Sequence, residues 1–342
     1  MNLRGKRVFV GLSGGVDSAV TAALLKGKGA DVAGVFIKGW YPPGMPCTWS
    51  EDRKDAMRVA ARLQIPFVTL DASREYKEGV IDYLLAEYKA GRTPNPDVMC
   101  NREVKFGAFY RYTKEKGADY IATGHYAQSI DGMLTRGIDD TKDQSYFLWA
   151  VPEEALAMTL FPLGGMKKHQ TRALAKKYRL PNAAKRDSQG ICFLGSISVD
   201  DFLRSEFGTE SGQAVDLSGA VIGTHDGALL HTLGSRIALS DAPPGPWYVV
   251  KKDVAGNILV VSKERTESAA NTAITLTETN WLDERTGPLS AQFRYHGPII
   301  EGVLSEDRQE FTPDFPLPEP LAAGQSLVLY HDDLVIGGGI VS

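Results

Sequence analysis

Hydrophobic positions in the first third of the chain fall into short continuous runs separated by segments of helical spacing. Val8 to Val10 is a buried-strand run, and the small apolar residues from about Ala19 to Lys28 predict a helix directly after it. Val32 to Ile37 predicts a second strand. A helix from about Ser50 to Leu63 follows, with Ala56, Val59, Ala60 and Leu63 on one face. Further strands are predicted at Phe67 to Leu70 and Tyr120 to Gly124, with amphipathic helices between them. Strand and helix in alternation predict an α/β fold with a doubly wound parallel sheet, whose ligand crevice lies outside the carboxyl ends of the strands. Gly11 to Ser18 and Gly124-His125-Tyr126 stand at two such ends.

After about Phe207 the pattern changes to short apolar runs punctuated by Gly and Pro: Ala220 to Gly223, Trp247 to Val250, Ile258 to Val261, Ala273 to Leu276, Ser326 to Tyr330 and Leu334 to Val341. These predict a small β-rich central domain and a C-terminal β barrel. The expected divisions are 1–207, 208–268 and 269–342. Phe311 to Pro320 reads as an extended loop. No internal repeat is visible.

Composition changes this picture little. A chain of 342 residues with 43% hydrophobic and 23% charged residues can build several ordinary cores. A net charge of −4 argues against indiscriminate nucleic-acid binding and leaves a local basic face open. No run is apolar for long enough to span a bilayer, and Met1 to Arg7 leads into a strand without a signal-peptide apolar region, so a cytoplasmic location is expected. The three cysteines, Cys47, Cys100 and Cys192, are too few and too scattered for a disulfide framework or a zinc knuckle.

The chemistry concentrates in three places. Gly11-Leu12-Ser13-Gly14-Gly15-Val16-Asp17-Ser18 joins a strand to a helix through small residues, which lets backbone N–H groups and the helix N-terminus face an anion. It lacks the Lys-Ser/Thr pair of the Walker loop and the spacing of the dinucleotide fingerprint. A ligand-free Gly-rich turn is the plainer alternative. In Gly91 to Asn101, Pro94, Asn95 and Pro96 stiffen a loop that presents Asp97 and Cys100 together. In Lys185 to Phe193, Lys185 and Arg186 are placed to lower the thiol pKa of Cys192. A lone cysteine is more often a small buried hydrophobe than a nucleophile; Cys47 fits that reading, or sits loosely beside the Pro-rich Tyr41 to Pro46. Cys100 and Cys192 lie among polar loop residues, which favours catalytic roles.

Ser13 to Ser18 resembles the PP-loop of ATP pyrophosphatases, which split ATP between the α and β phosphates. Taken with Gly91 to Asn101, Ala122 to Tyr126, Lys142 to Leu148, Asp187 to Phe193, Pro246 to Val250 and Gly337 to Ile340, the chain resembles the bacterial tRNA-specific 2-thiouridylases nearly end to end. The resemblance implies thiolation of the wobble uridine in tRNAs for lysine, glutamate and glutamine. It implies ATP, with Mg²⁺, on Gly11 to Ser18, with Asp17 near the pyrophosphate and the backbone at Ile37 and Gly124 flanking adenosine. Cys192 would carry a persulfide from a sulfur-relay protein or cysteine desulfurase. Cys100 would resolve the intermediate or help liberate sulfide, and Asp97 would serve as general acid or base. An iron–sulfur cluster on Cys100, Cys192 and Asp97 is the competing scheme, and the persulfide is favoured. Asn95, Pro96 and Asp97 would meet the base, and His125, Lys142, Asp143, Gln144, Arg294, Tyr295 and Gln325 would touch tRNA. A monomer without membrane attachment is expected.

The chain departs from the family pattern at Phe36-Ile37-Lys38-Gly39-Trp40, a mild change, and at His231 to Leu239, where the usual Gln, Lys and Gly are missing. That puts the central domain's RNA contacts in doubt. Two other classes compete: an amide-forming PP-loop ligase, which would need neither Cys100 nor Cys192, and an ATP-gated tRNA-binding protein without thiolation activity, which would release no pyrophosphate.

Overall fold

Val8, Phe9 and Val10 are buried on both faces of a central strand, as a continuous apolar run requires when helices cover both sides of a sheet. The computed structural model describes residues 2–42, 49–186, 198–265 and 272–342. Strand β1 (Arg7–Gly11) lies between β2 (Asp31–Lys38) and β4 (Tyr120–Ala122); β3 (Phe67–Asp71) and the short strand Thr159–Leu160 are the edges, and all neighbours run parallel. Helices α1 (Val16–Gly27) and α2 (Trp49–Leu63) cover one face, burying Val20, Ala23, Ala56 and Val59 against Val8 and Val10. Helical segments between Ser73 and Glu115 cover the other, packing on Phe9, Val35 and Ile121. Chain order reverses between β1 and β4, so their carboxyl ends diverge into a crevice.

Two β units follow. In the central one the strand order is Arg236–Ile237, Trp247–Asp253, Ile258–Ser262, Gly212–Val215, Val221–His225, and a bridge from Thr224 to Ser240 ties the last strand back toward the first. The C-terminal unit is a closed six-strand barrel in which Ile274–Trp281 pairs with both Glu310–Pro313 and Leu334–Val341. An N-terminal hairpin, Ala127–Ile130 with Met133–Arg136, adds to this barrel where Thr135 meets Leu334.

The expected loop at Phe311 to Pro320 begins instead as a barrel strand, because Phe311 and Pro313 alternate inward and Phe311 is fully buried. The barrel encloses its own core, with Leu289, Phe293, Phe311 and Leu327 packed inside it, and its outer face also packs on the N-terminal unit. Val328, Tyr330, Val335 and Ile340 pack in one cluster with Tyr146 and Trp149. The Tyr146 hydroxyl donates to the Ser326 carbonyl at 3.0 Å, and Asn280 Nδ2 donates to the carbonyls of Trp149 and Val151 at 2.6 and 3.1 Å.

Candidate functional site

The turn from β1 to α1 is held by its own hydroxyls. Ser18 Oγ accepts from Ser13 N–H at 3.2 Å and donates to the Gly15 carbonyl, while Ser13 Oγ accepts from Gly15 N–H at 3.3 Å. Leu12 N–H donates to Val35 O, continuing the sheet into the loop. Gly14 has φ +81°, and a Cβ there would strike the Asp52 carbonyl of α2. Gly124, past the end of β4, sits so close that a Cβ would come within 2.8 Å of Ser18 N. The Gly11–Ser18 loop and Gly124 therefore form one patch of backbone at the N-terminus of α1, with the Ile37 side chain beside Gly11.

Asp17 is not left bare. Its two oxygens lie 2.7 and 2.8 Å from Lys168 Nζ, and the Tyr126 hydroxyl donates to Oδ1 at 3.1 Å. The same hydroxyl contacts Thr171 Oγ1 at 2.9 Å. Tyr126 is fixed in turn by Gln144, whose N–H donates to Tyr126 O and whose Oε1 accepts from Tyr126 N–H. From the other side, Asn182 Nδ2 donates to Gly14 O at 2.9 Å.

Asn95 caps a helix. Its side chain accepts from the N–H groups of Asp97 and Val98, Pro96 occupies the first helical position, and helical backbone continues through Cys100–Ala108 in π-type turns into Phe109–Glu115. The expected Gly91–Asn101 loop is thus a helix start from Asn95 onward, and Cys100 is 4% exposed within the main apolar cluster rather than on a polar loop. Asp97 is half-buried one turn earlier. Along this helix Asn101 Nδ2 donates to Phe147 O, Lys105 Nζ lies 3.5 Å from His125 Nε2, and Phe109 packs beside Gly11. One helical run therefore leads from the Asn95–Cys100 end to the Gly11–Ser18 loop.

His125 is 7% exposed, packed near Phe106 and Phe161, with Nδ1 2.8 Å from Thr123 Oγ1. Burial first, and the Lys105 ammonium second, hold its pKa well below the usual histidine value. Asp143 is buried: Oδ1 accepts from the N–H groups of Gly137 and Ser145, and Oδ2 from Ser145 Oγ and Arg136. Lys142 is half-buried beside it. Tyr295 stacks on His296 and packs on Phe147, and burial pushes its hydroxyl pKa up to about 12. Arg294 pairs with Glu319 at 2.6 Å, and Gln325 O accepts from Val341 N–H on the barrel. The barrel reaches the site directly, since Thr93 N–H donates to Ala323 O at 2.7 Å.

Cys192, the rest of Asp187 to Phe193, and Cys47 lie outside the described residues. Lys185, expected to activate Cys192, has its ammonium 2.8 Å from Asp52 Oδ1 and 2.7 Å from Asp55 Oδ2 on α2. Sequence reasoning missed Lys168 and Asn182. The first carried a signal: a lysine opening a helical segment opposes the helix dipole and so asks for a reason.

Three family models tile the chain: a tRNA methyl transferase HUP domain over residues 6–196, a tRNA methyl transferase PRC-barrel domain over 200–263, and an aminomethyltransferase beta-barrel domain over 271–341. The tRNA-specific 2-thiouridylase MnmA of Shewanella frigidimarina is 42% identical over 360 residues, covering 98% of this chain and 96% of that protein. The protein of the same name from Listeria monocytogenes is 42% identical over 351 residues, covering 98% and 94%. With the PP-loop, the capped Asn95–Cys100 segment and both β units in place along that full-length match, the chain belongs to the tRNA-specific 2-thiouridylase family.

Proposed function

We propose that this chain is a tRNA-uridine 2-sulfurtransferase that replaces the C2 oxygen of the wobble uridine with sulfur at the expense of ATP, acting on tRNAs for lysine, glutamate and glutamine. The observation that carries the reading is the continuous helical run that starts at the Asn95 cap, carries Asp97 and Cys100 in its opening turns and packs Phe109 beside Gly11 of the Gly-rich loop.

A uracil carbonyl is a poor electrophile with a poor leaving group, so its oxygen must first be adenylated. The amides of Gly11 to Ser18 orient the triphosphate, and the backbone at Ile37 and Gly124 borders the adenosine. Mg²⁺ is held in such sites by one or two carboxylates together with phosphates and water, and Asp17, whose oxygens bond Lys168 here, would serve as that carboxylate once the ammonium turns to phosphate; bound, the ion would neutralise phosphate charge. Asn95, Pro96 and Asp97 hold the flipped base, with Asp97 placing or removing the proton. The terminal sulfur of a Cys192 persulfide attacks C2 and AMP leaves. The Cys100 thiolate then attacks Cys192 Sγ, leaving sulfur on the base and a Cys100–Cys192 disulfide that a two-electron reductant must reopen. The persulfide comes from a sulfur-carrying protein or a cysteine desulfurase, and the enzyme acts as a monomer.

His125, Lys142, Arg294, Tyr295 and Gln325 are proposed tRNA contacts. Asp143 and Gln144 serve the same surface as positioning residues, because their polar groups hold the loop and Tyr126. The test is mass spectrometry of wobble uridine in tRNA from cells lacking the gene, complemented with wild type, Cys100→Ser or Cys192→Ser. Wild type should restore the sulfur-for-oxygen mass shift and neither variant should. Full restoration by Cys192→Ser would remove the persulfide carrier, and iron bound to purified protein in proportion to thiolation would favour the cluster scheme.

A further inference from the structure

Lys168 opens the helix Lys168–Lys177, an end where the helix dipole disfavours a cation. Its backbone N–H is nevertheless fixed there, donating to Asp139 Oδ2 at 2.8 Å. The side chain is only 15% exposed, crosses the Tyr126 ring with Nζ 5.6 Å from the centroid, and ends on both oxygens of Asp17. Asp17 is the second residue of α1, in the same turn as the amides that would seat a phosphate. An uncompensated carboxylate at that point would repel a bound triphosphate. Paired with Lys168, it makes a neutral unit whose cationic half lies at the phosphate loop.

We infer that Lys168 is a phosphate-binding residue of this site. When a triphosphate or pyrophosphate occupies the Gly11–Ser18 loop, the Lys168 ammonium bonds the β or γ phosphoryl oxygens, while Tyr126, backed by Thr171 and Gln144, keeps Asp17 in place. An ammonium is a compact cation with rotatable donors, suited to moving between a carboxylate and a phosphate a few ångströms away. AMP has no β or γ phosphoryl group for the ammonium to bond, so Lys168 distinguishes ATP from AMP.

The inference rests on the nucleotide reading of the loop, and the experiment separates the two. Isothermal titration of the full chain with ATP, AMP and inorganic pyrophosphate, in EDTA so that no Mg²⁺ contributes through Asp17, is compared among wild type, Lys168→Met and Asp17→Asn. Lys168→Met should weaken ATP and pyrophosphate at least tenfold and AMP less than twofold, while Asp17→Asn should bind pyrophosphate as tightly as wild type or more so. Equal losses in both variants would reduce Lys168 to a prop for Asp17 and overturn the inference, as would unchanged pyrophosphate binding in Lys168→Met. Wild type that binds neither ATP nor AMP would sink the nucleotide reading itself. A readout independent of any variant is acetylation of Lys168 in wild-type protein, followed by mass spectrometry. Pyrophosphate should protect it and AMP should not, and equal labelling with both would count against the inference.

Discussion

At the scale of single residues, the site is built from groups whose freedom has been removed. Gly124 is the clearest case: Gly124→Ala would drive a methyl into the Ser18 and Asp17 backbone and should cost about 1–3 kcal/mol of stability, together with a loss of ATP affinity seen by titration. Asn95 is the only side chain capping the first turn that carries Asp97 and Cys100 among the described residues. Asn95→Ala should lose about 1 kcal/mol in denaturant unfolding, and Asn95→Asp should recover most of it. His125 gives a pH dependence whose sign is fixed by its burial. The unfolded chain takes up a proton near pH 6.5, whereas the folded one holds His125 neutral to well below that. Stability contributed by the neutral ring is therefore complete above pH 6.5 and falls as pH drops, by up to about 1.4 kcal/mol per pH unit, until the folded-state pKa is reached. Unfolding midpoints from pH 7 to 5 should fall more steeply in wild type than in His125→Asn.

At the scale of elements, the first four strands and the two helices after β1 and β2 were legible because each has one dominant period: continuous apolar runs for Val8–Val10 and Val32–Ile37, and a 3.6-residue stripe for Ala56 to Leu63. The Gly11–Ser18 turn was legible for the same reason, its context being strand then helix. The Asn95 helix was not, because two prolines masked it; read as N-cap and first helical position, Asn95-Pro96 is in fact a start signal. Barrel strands such as Gly287–Gln292 and Glu310–Pro313 are short and carry Gly or Pro, so only barrel closure, a long-range property, makes them strands. The engagement of Lys168 with Asp17 joins residues 151 positions apart, so a lysine opening a helix marks one end of it in the sequence while nothing local names its partner. Placing Cys100 in a buried helical turn has a kinetic consequence. Alkylation of Cys100 in the isolated protein should be at least tenfold slower than in the urea-unfolded chain, and a site-specific label detected by mass spectrometry at equal rates in both would contradict the packing.

At the scale of the whole molecule, the three units behave as parts of one body around residues 91–95. Thr93 is bonded to Ala323 of the barrel, Val254 of the central unit packs beside Gly91, and barrel residues Val328 and Tyr330 complete the core around Trp149. A chain ending at residue 265 would expose that core and the edge of the Met133–Arg136 hairpin. It should elute as aggregate in size-exclusion chromatography, where a recovered monomer with a cooperative melt would show that the barrel is dispensable. The pairing of Thr135 with Leu334 also sets where relatives can be recombined. A crossover between two such genes near residue 200 or 270 would mismatch a strand contributed by the first segment with its acceptor in the last. Viable hybrids should therefore be those in which the hairpin and the barrel come from the same parent, whatever the origin of the stretch between them.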